Sequence, residues 1–124
     1  HGIPIIATCR GMQYINVMFG GKLRYHPDLP VERKRGVDHQ VWLIKEERNI
    51  WVNNYHDDCI FEADLAPCFE PLALDRENGI VEAFGSDEMK ILALQWHPER
   101  RFETANAYEE TRKIMLNFIQ KYVR

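Results

Sequence analysis

The sequence predicts an α/β domain in which a mixed β-sheet is flanked by helices. Residues 3–7 form a continuous apolar run rich in β-branched side chains, which is typical of a strand buried on both faces of a parallel sheet. Apolar side chains then recur at helical spacing in residues 11–19, before a Gly-Gly pair, and again in residues 108–122. Because no biased linker interrupts the chain, we assign residues 1–124 to one domain.

Five further apolar segments have the length and composition of strands: residues 41–44, 50–52, 71–74, 80–84 and 91–96. The first two flank a charged turn, and the next two flank an Asn-Gly pair that supplies the positive φ of a tight turn. We therefore expect two hairpins, a last strand, and a closing helix that packs against the sheet. Residues 22–38 contain two prolines and many charges, and they predict a long connection of the kind that often covers a site.

The composition favours a small-molecule partner over nucleic acid or a membrane. The 124 residues include 16 basic and 19 acidic side chains, and the charged run at residues 32–35 is typical of a solvated loop. No run approaches the roughly 20 apolar residues that span a bilayer, and no signal peptide is recognisable. The three cysteines are irregularly spaced, which argues against a disulfide framework and predicts a reducing, cytoplasmic location.

Cys9 has the surroundings of a nucleophilic cysteine. It falls at the predicted turn from the first strand into the first helix, between small residues at positions 7 and 11, an arrangement called a nucleophile elbow. The helix N-terminus is expected to lower the pKa of the thiol, and the N–H of Arg10 to donate to a developing oxyanion. The alternative is a packed residue at a strand end, because cysteines are commonly buried.

His97 and Glu99 follow the last predicted strand and supply the partners that such a cysteine needs. Pro98 favours an extended conformation at His97, so that the two side chains point to the same side. Glu99 can then fix the tautomer of the imidazole and stabilise the imidazolium formed when His97 takes the thiol proton. Without the elbow, a surface His-Pro-Glu turn would explain this motif equally well.

Four motifs resemble, in order, those of the class I glutamine amidotransferases, and most closely their peptidase C26-like γ-glutamyl hydrolase branch. The first is Ile-Ile-Ala-Thr-Cys-Arg-Gly-Met-Gln at residues 5–13, followed by Asn-Val and then by Gly-Gly-Lys-Leu. The others are Val-Asn-Asn-Tyr-His at residues 52–56, Gly-Ile-Val-Glu-Ala-Phe at residues 79–84, and Gln-Trp-His-Pro-Glu at residues 95–99. Together they cover nearly the whole chain, so the match is specific.

The resemblance implies a flavodoxin-like class I glutamine amidotransferase fold and hydrolysis of a small-molecule γ-glutamyl amide through a thioester on the cysteine. Carried over by position, Cys9 is the nucleophile, His97 is the general base and then acid, and Glu99 orients His97. Three residues match positions that line the substrate pocket: Gln13, Asn53 and His56. Thiol-mediated amide hydrolysis requires no cofactor and no metal, so we predict neither.

The chain departs from the family pattern at several positions. Ala7 stands for the first glycine of the elbow, Asn54 for a serine, and residues 57–59 read Asp-Asp-Cys instead of His-Gln-Ala. The two carboxylates favour a substrate with a cationic tail, unless they are exposed acidic residues without a specific role. Family members also carry an upstream segment whose glycine-rich loop supplies a second oxyanion donor. We therefore expect a C-terminal, nucleophile-bearing portion that lacks the N-terminal part of its domain and requires it as a partner.

Other interpretations fit parts of the sequence. A glutaminase that passes ammonia to a partner synthase would use the same triad, although the Cys-Arg-Gly and Glu-Ala-Phe strings favour the hydrolase branch. A non-catalytic assembly domain would not need to keep the cysteine, histidine and glutamate together. Metal binding through His56, Cys59 and Cys68 fits no closed zinc pattern. His56 is explained equally well as a structural histidine near a sheet edge.

Overall fold

A computed structural model describes residues 2–25 and 36–122 of the chain. These residues contain one six-stranded sheet, with strands β1 (Ile5–Thr8), β2 (His39–Leu43), β3 (Arg48–Val52), β4 (Glu70–Asp75), β5 (Ile80–Ser86) and β6 (Ile91–Leu94). They also contain helices α1 (Arg10–Met18) and α2 (Ala107–Tyr122) and a 3-10 turn at Glu62–Asp64. The strands lie in the order β1-β6-β5-β4-β2-β3. The predicted α/β class is therefore confirmed.

The sheet is mixed because one pair of neighbouring strands is parallel. β1 and β6 run in the same direction, from the pair Ile5 and Ile91 to the pair Thr8 and Leu94, whereas the other neighbouring strands are antiparallel. The predicted burial of the first strand on both faces is wrong for the described residues, since Ile5 within β1 is 44% exposed and Ile3 before it is 83% exposed. A β-branched run favours an extended backbone, but it does not specify how many neighbours cover it.

Both predicted hairpins are confirmed. β2 pairs with β3, and β4 pairs with β5 across a turn in which Gly79 has a φ of +71° and donates its N–H to the Asp75 carbonyl at 2.8 Å. The last predicted strand ends two residues early, at Leu94. At this level β1 turns into α1, and Gln95 donates its N–H to the Glu82 carbonyl of β5 at 2.8 Å.

Two hydrophobic clusters lie on the two faces of the sheet. Along β6 the side chains alternate between the clusters, so that the strand is buried on both faces. One cluster packs against α1 through Met12 and Ile15. The other packs against α2 through Ile114, Met115 and Phe118, which confirms that the closing helix covers the sheet. α1 also matches its predicted range within one residue, and Gly20, with a φ of +100°, follows its end.

The predicted connection at residues 22–38 is anchored at both ends. Arg24 and Cys59 exchange two backbone hydrogen bonds of 2.9 Å, and the N–H of Gly36 donates to the Asn54 carbonyl at 2.6 Å. The segment between them, including the charged run at residues 32–35, lies outside the described residues. Nowhere in residues 2–25 or 36–122 is a helix long and apolar enough to cross a bilayer.

Candidate active site

Cys9 lies at the sharp turn between β1 and α1. Its φ of 48° and ψ of -108° fall in a region that side chains with a Cβ rarely adopt. Two backbone hydrogen bonds stabilise the turn. The Cys9 N–H donates to the Leu94 carbonyl at 2.7 Å, and the Cys9 carbonyl accepts from the Gln13 N–H at 3.1 Å. The half-buried thiol is thus directed away from the ladder at the carboxyl end of β1.

Burial raises the pKa of the Cys9 thiol above its ordinary value of 9.0. Several groups act in the opposite direction: the Arg10 N–H that bonds the sulfur, the Gln95 side chain, and the charges of Arg10 and Arg100. Their combined effect is smaller, so the expectation of a lowered thiol pKa is wrong for the chain in this state. The protonated thiol is therefore the resting form at neutral pH. The role of the Arg10 N–H as an oxyanion donor stays a prediction.

Gln95 and Gln13 contact the surroundings of the thiol from two elements. Gln95 is the first residue after β6, and its Nε2 lies 3.8 Å from the Cys9 sulfur. Gln13, one turn along α1, donates to Gln95 Oε1 at 3.3 Å and to the Asp58 carbonyl at 3.1 Å. Gln95 belongs to the fourth motif, but its sequence position predicted no role for it. The β1–β6 pairing that brings it to Cys9 is a long-range contact that the local sequence does not encode.

His97 and Glu99 form a hydrogen-bonded pair beyond the carboxyl end of β6. His97 Nδ1 lies 2.7 Å from Glu99 Oε2, so Nδ1 carries a proton and donates it to the carboxylate. Burial alone would raise the pKa of Glu99, but bonds from its own N–H and from His97, together with the charges of His97 and Arg100, lower it overall. Glu99 is therefore ionised at neutral pH, and Nε2 is the ring nitrogen of His97 that does not face the carboxylate.

Asn53 holds the backbone of His97. The side chain is fully buried directly after β3, where Oδ1 accepts the His97 N–H at 2.9 Å and Nδ2 donates to the His97 carbonyl at 2.8 Å. The same Nδ2 lies 3.4 Å and 3.3 Å from the carbonyls of Arg100 and Arg101. The predicted contact of Asn53 with substrate stays a prediction, and the contacts that the amide makes in this structure are to the chain itself.

Tyr55 and Arg100 pack beside His97, and neither was singled out from the sequence. The rings of Tyr55 and His97 meet edge to face, with centroids 5.9 Å apart. The Arg100 guanidinium lies 4.7 Å above the Tyr55 ring, within the range of a cation–π contact. Tyr55 sits inside the second motif and Arg100 follows the fourth, so their nearness to motif residues was the only sequence signal for them.

His56 is buried in a cluster with Glu82 and His39. His56 Nδ1 lies 2.8 Å from the Asp58 carbonyl, so Nδ1 is the donor, and Nε2 lies 3.8 Å from Glu82 Oε1. His39 Nε2 approaches the same carboxylate oxygen at 3.7 Å. These surroundings favour the structural alternative for His56, and a contact with substrate stays a prediction.

The two cysteines other than Cys9 were considered as metal ligands together with His56. Cys59 Sγ lies 3.9 Å from His56 Nδ1, whereas Cys68 is exposed. In the part of the chain that the structure describes, no group of three or more His, Cys, Asp or Glu side chains could hold a metal ion.

The acidic pair lies near the site. Asp57 is exposed, and the carboxylate charge of Asp58 acts on the Arg10 guanidinium. A preference for a cationic tail stays a prediction.

Comparison with known proteins gives a family and a fold. The profile of the Peptidase C26 family matches residues 1–99. The chain is 31% identical over 130 residues to the glutamine amidotransferase-like protein YvdE of Lactococcus lactis, covering 92% of this chain and 53% of that protein. It is 32% identical over 120 residues to the γ-glutamyl-γ-aminobutyrate hydrolase PuuD of Escherichia coli, covering 78% and 46%. The chain thus spans about half the length of the curated relatives it matches.

A solved structure confirms the predicted fold. A GMP synthase-like protein from Thermoplasma acidophilum superposes with a TM-score of 0.69 at 24% identity, covering 98% of this chain and 62% of that one. The sheet and its helices therefore have the class I glutamine amidotransferase fold. Because the family profile spans most of the chain and the four motifs agree with it, the chain belongs to the Peptidase C26 family.

Proposed function

We propose that this chain carries the nucleophile-bearing part of a cysteine-dependent hydrolase of γ-glutamyl amides. Members of the family are amidotransferases or hydrolases, and PuuD is named for hydrolysis of γ-glutamyl-γ-aminobutyrate. The substrate is then a small molecule with an amide bond on a γ-glutamyl group, and the products are glutamate and an amine or ammonia. A cytoplasmic location stays a prediction.

The observation that most supports this proposal is the common sheet edge of Cys9 and His97. β1 and β6 are parallel neighbours in register up to Thr8 and Leu94, so the residues that follow the two strands emerge at one edge. Glu99 accepts a hydrogen bond from His97 Nδ1, which keeps the opposite ring nitrogen available for proton transfer. A thiol, an oriented base and a backbone N–H donor are the groups that acyl transfer requires.

The reaction would proceed in two steps. First, His97 Nε2 takes the thiol proton while the Cys9 sulfur attacks the γ-carbonyl carbon, and the Arg10 N–H donates to the oxyanion of the tetrahedral intermediate. His97 returns the proton to the leaving nitrogen as the C–N bond breaks, which leaves a γ-glutamyl thioester on Cys9. Second, His97 removes a proton from a water molecule that attacks the thioester. Glutamate then leaves and the thiol is restored.

We propose that sequence outside residues 1–124 supplies the second oxyanion donor. One donor is the Arg10 N–H, and loss of a single donor from such a pair costs about 10²- to 10³-fold in turnover. Activity is therefore best measured on the natural gene product, with any flanking sequence that the gene encodes.

A second candidate is a glutaminase that passes ammonia to a partner synthase. The relative YvdE is named as a glutamine amidotransferase-like protein, which favours this alternative. Both functions use the same thiol chemistry, so they differ in the leaving group and in the need for a partner. A hydrolase turns over substituted γ-glutamyl amides alone, whereas a glutaminase prefers free glutamine and is accelerated by its synthase.

Glutamate release from glutamine and from a panel of γ-glutamyl amides tests the proposal. The panel should pair amine-bearing leaving groups with neutral ones of the same length, because Asp57 and Asp58 predict a preference for the former. We expect the natural gene product to release glutamate from a substituted amide without a partner. Cys9→Ser should abolish this release, and the matched variant Cys68→Ser should retain it, since Cys68 is exposed.

The other outcomes separate the alternatives. Release that survives Cys9→Ser would exclude Cys9 as the nucleophile. A preference for free glutamine, with acceleration by a synthase, would favour the glutaminase. No release from any amide would leave either a glutaminase that depends on its partner or a non-catalytic assembly domain.

A further inference from the structure

The segment that carries His97 has no helix or strand of its own. β6 ends at Leu94 and α2 begins at Ala107. Between them, the N–H of Arg100 donates to the His97 carbonyl at 3.1 Å, which closes a single turn around the motif. An irregular segment of this length samples many conformations unless its backbone is fixed from outside. A general base, in contrast, must stay within about 1 Å of its productive position.

Asn53 supplies a fixed point for this segment. It follows β3, and its buried amide engages both polar backbone groups of His97, with its N–H bonded to Oδ1 and its carbonyl to Nδ2. The longer contacts of Nδ2 with Arg100 and Arg101 extend the hold to the end of the turn. His97 is therefore connected to the β-sheet in two ways: through the chain that continues from β6, and through the side chain of Asn53, which follows β3.

We propose that Asn53 is a positioning residue for His97. Asn53 binds the N–H and the carbonyl of His97 and thereby fixes the backbone position from which the imidazole side chain extends. The hydrogen bond to Glu99 then fixes the orientation of the ring. The inference rests on the proposed function, because it assumes that His97 transfers protons. It assigns Asn53 a role different from the substrate contact that the family resemblance implies, since both ends of the amide are engaged within the fold.

Asn16 offers a matched control in the same chain. It is also fully buried, with Nδ2 donating to the carbonyls of Lys22 and Asp64 at 3.0 Å and 3.1 Å. Its Oδ1 accepts the Ala66 N–H at 2.7 Å. Asn16 therefore matches Asn53 in burial and in the kind of hydrogen bonds lost on substitution, but it ties α1 to a segment that does not carry His97.

The test compares Asn53→Ala, Asn53→Asp and Asn16→Ala in the natural gene product. For each variant we would measure kcat and KM on a turned-over γ-glutamyl amide, the free energy of unfolding, and hydrogen exchange at the His97 amide. Asn53→Ala and Asn16→Ala should lose similar stability, because each removes a buried amide with several bonds. Only the Asn53 variants should lower kcat, by about 100-fold with little change in KM, and accelerate exchange at the His97 amide.

Asn53→Asp keeps the volume and the acceptor but loses the donor, so it provides the kinetic comparison if Asn53→Ala does not fold. A folded Asn53 variant whose kcat falls no further than that of Asn16→Ala overturns the inference. An Asn53 variant that raises KM at unchanged kcat also overturns it, in favour of a substrate contact. If His97→Ala retains full kcat, the proposed function fails and the inference fails with it, so the two failures are distinguishable.

Discussion

At the scale of single residues, Cys9 combines a strained backbone with a protonated thiol. A residue with a Cβ in such a conformation costs of the order of 1–3 kcal/mol, and the bonds to Leu94 and Gln13 hold it there. The raised pKa of the thiol shows that burial outweighs the donors and cations around it. In the proposed reaction the base must therefore act during attack, because the resting site holds a thiol rather than a thiolate.

Strain at Cys9 predicts that glycine is the more stable replacement. Cys9→Gly removes the Cβ that conflicts with a φ of 48°, whereas Cys9→Ala keeps it. After the larger entropy of glycine in the unfolded chain is subtracted, Cys9→Gly should exceed Cys9→Ala in unfolding free energy by about 1 kcal/mol. Denaturant unfolding of the two variants measures the difference. A more stable Cys9→Ala would mean that the turn is not strained.

The raised pKa of Cys9 predicts the pH dependence of its alkylation. Because the folded chain favours the neutral thiol, the rate of reaction with iodoacetamide, without substrate, should still be rising as the pH passes 9.0. Mass spectrometry of the tryptic peptide that ends at Arg10 follows Cys9. The exposed Cys68 serves as the internal reference, with fragment ions that separate it from Cys59 on the tryptic peptide of residues 49–76. A plateau of the Cys9 rate near neutral pH would instead indicate a preformed ion pair with His97.

Glu99→Gln should lower kcat while leaving the fold intact. The glutamine keeps the shape but removes the carboxylate that accepts from His97 Nδ1. For a buried triad carboxylate this change costs about 10⁴-fold, and we expect about 10²- to 10³-fold here because Glu99 is 62% exposed. The contribution of ionised Glu99 to the free energy of unfolding is present above the ordinary carboxyl pKa of 4.5. It is lost as the pH falls through the lowered pKa of Glu99 in the folded chain. Glu103→Gln, an exposed carboxylate in the same loop, is the control, and equal losses would contradict a specific role.

At the scale of elements, α2 and the segment after β6 are joined beside the site. Trp96, which precedes His97, is buried and donates from its indole Nε1 to Thr111 Oγ1 at 3.0 Å. Thr111 lies on the face of α2 that turns toward the second hydrophobic cluster. The helix therefore contributes both apolar cover for the sheet and a partner for the one polar atom of the Trp96 side chain.

Thr111→Val should destabilise the chain by about 1–3 kcal/mol. Valine has nearly the same shape, but it leaves the buried indole N–H without the hydroxyl that accepts it. Thr111→Ser retains the hydroxyl and should cost less, although it removes a buried methyl group. Thermal or denaturant unfolding of both variants provides the measurement. A Thr111→Val variant as stable as the parent would show that this bond contributes nothing.

At the scale of the whole molecule, local patterns predicted the elements, whereas their arrangement was predicted only through the resemblance to the class I glutamine amidotransferases. Periodicity predicted both helices, and the Asn-Gly pair predicted the β4–β5 turn. β1 pairs with β6, and this pairing brings together Cys9 and Gln95, which are 86 residues apart in the sequence. No local pattern encodes a contact between such distant segments. The exposure of Ile3 was missed because it depends on which segments pack around β1, and the local sequence does not specify them.

The candidate site shows the same division. Cys9, His97 and Glu99 were predicted by residue type and spacing, because thiol chemistry needs those groups. The hold of Asn53 on the His97 backbone, the packing of Tyr55 and the direction of the thiol pKa shift were not, because each depends on packing between distant segments. Those contacts decide how well the predicted set of residues can work.

Trapping the covalent intermediate tests the central claim most directly. The natural gene product, mixed with a saturating γ-glutamyl amide and quenched in acid within one turnover, should carry a γ-glutamyl group on the tryptic peptide that ends at Arg10. The same experiment with Cys9→Ser should give neither the adduct nor glutamate release. Turnover that continues in Cys9→Ser, or a γ-glutamyl group found on another residue, would contradict the account.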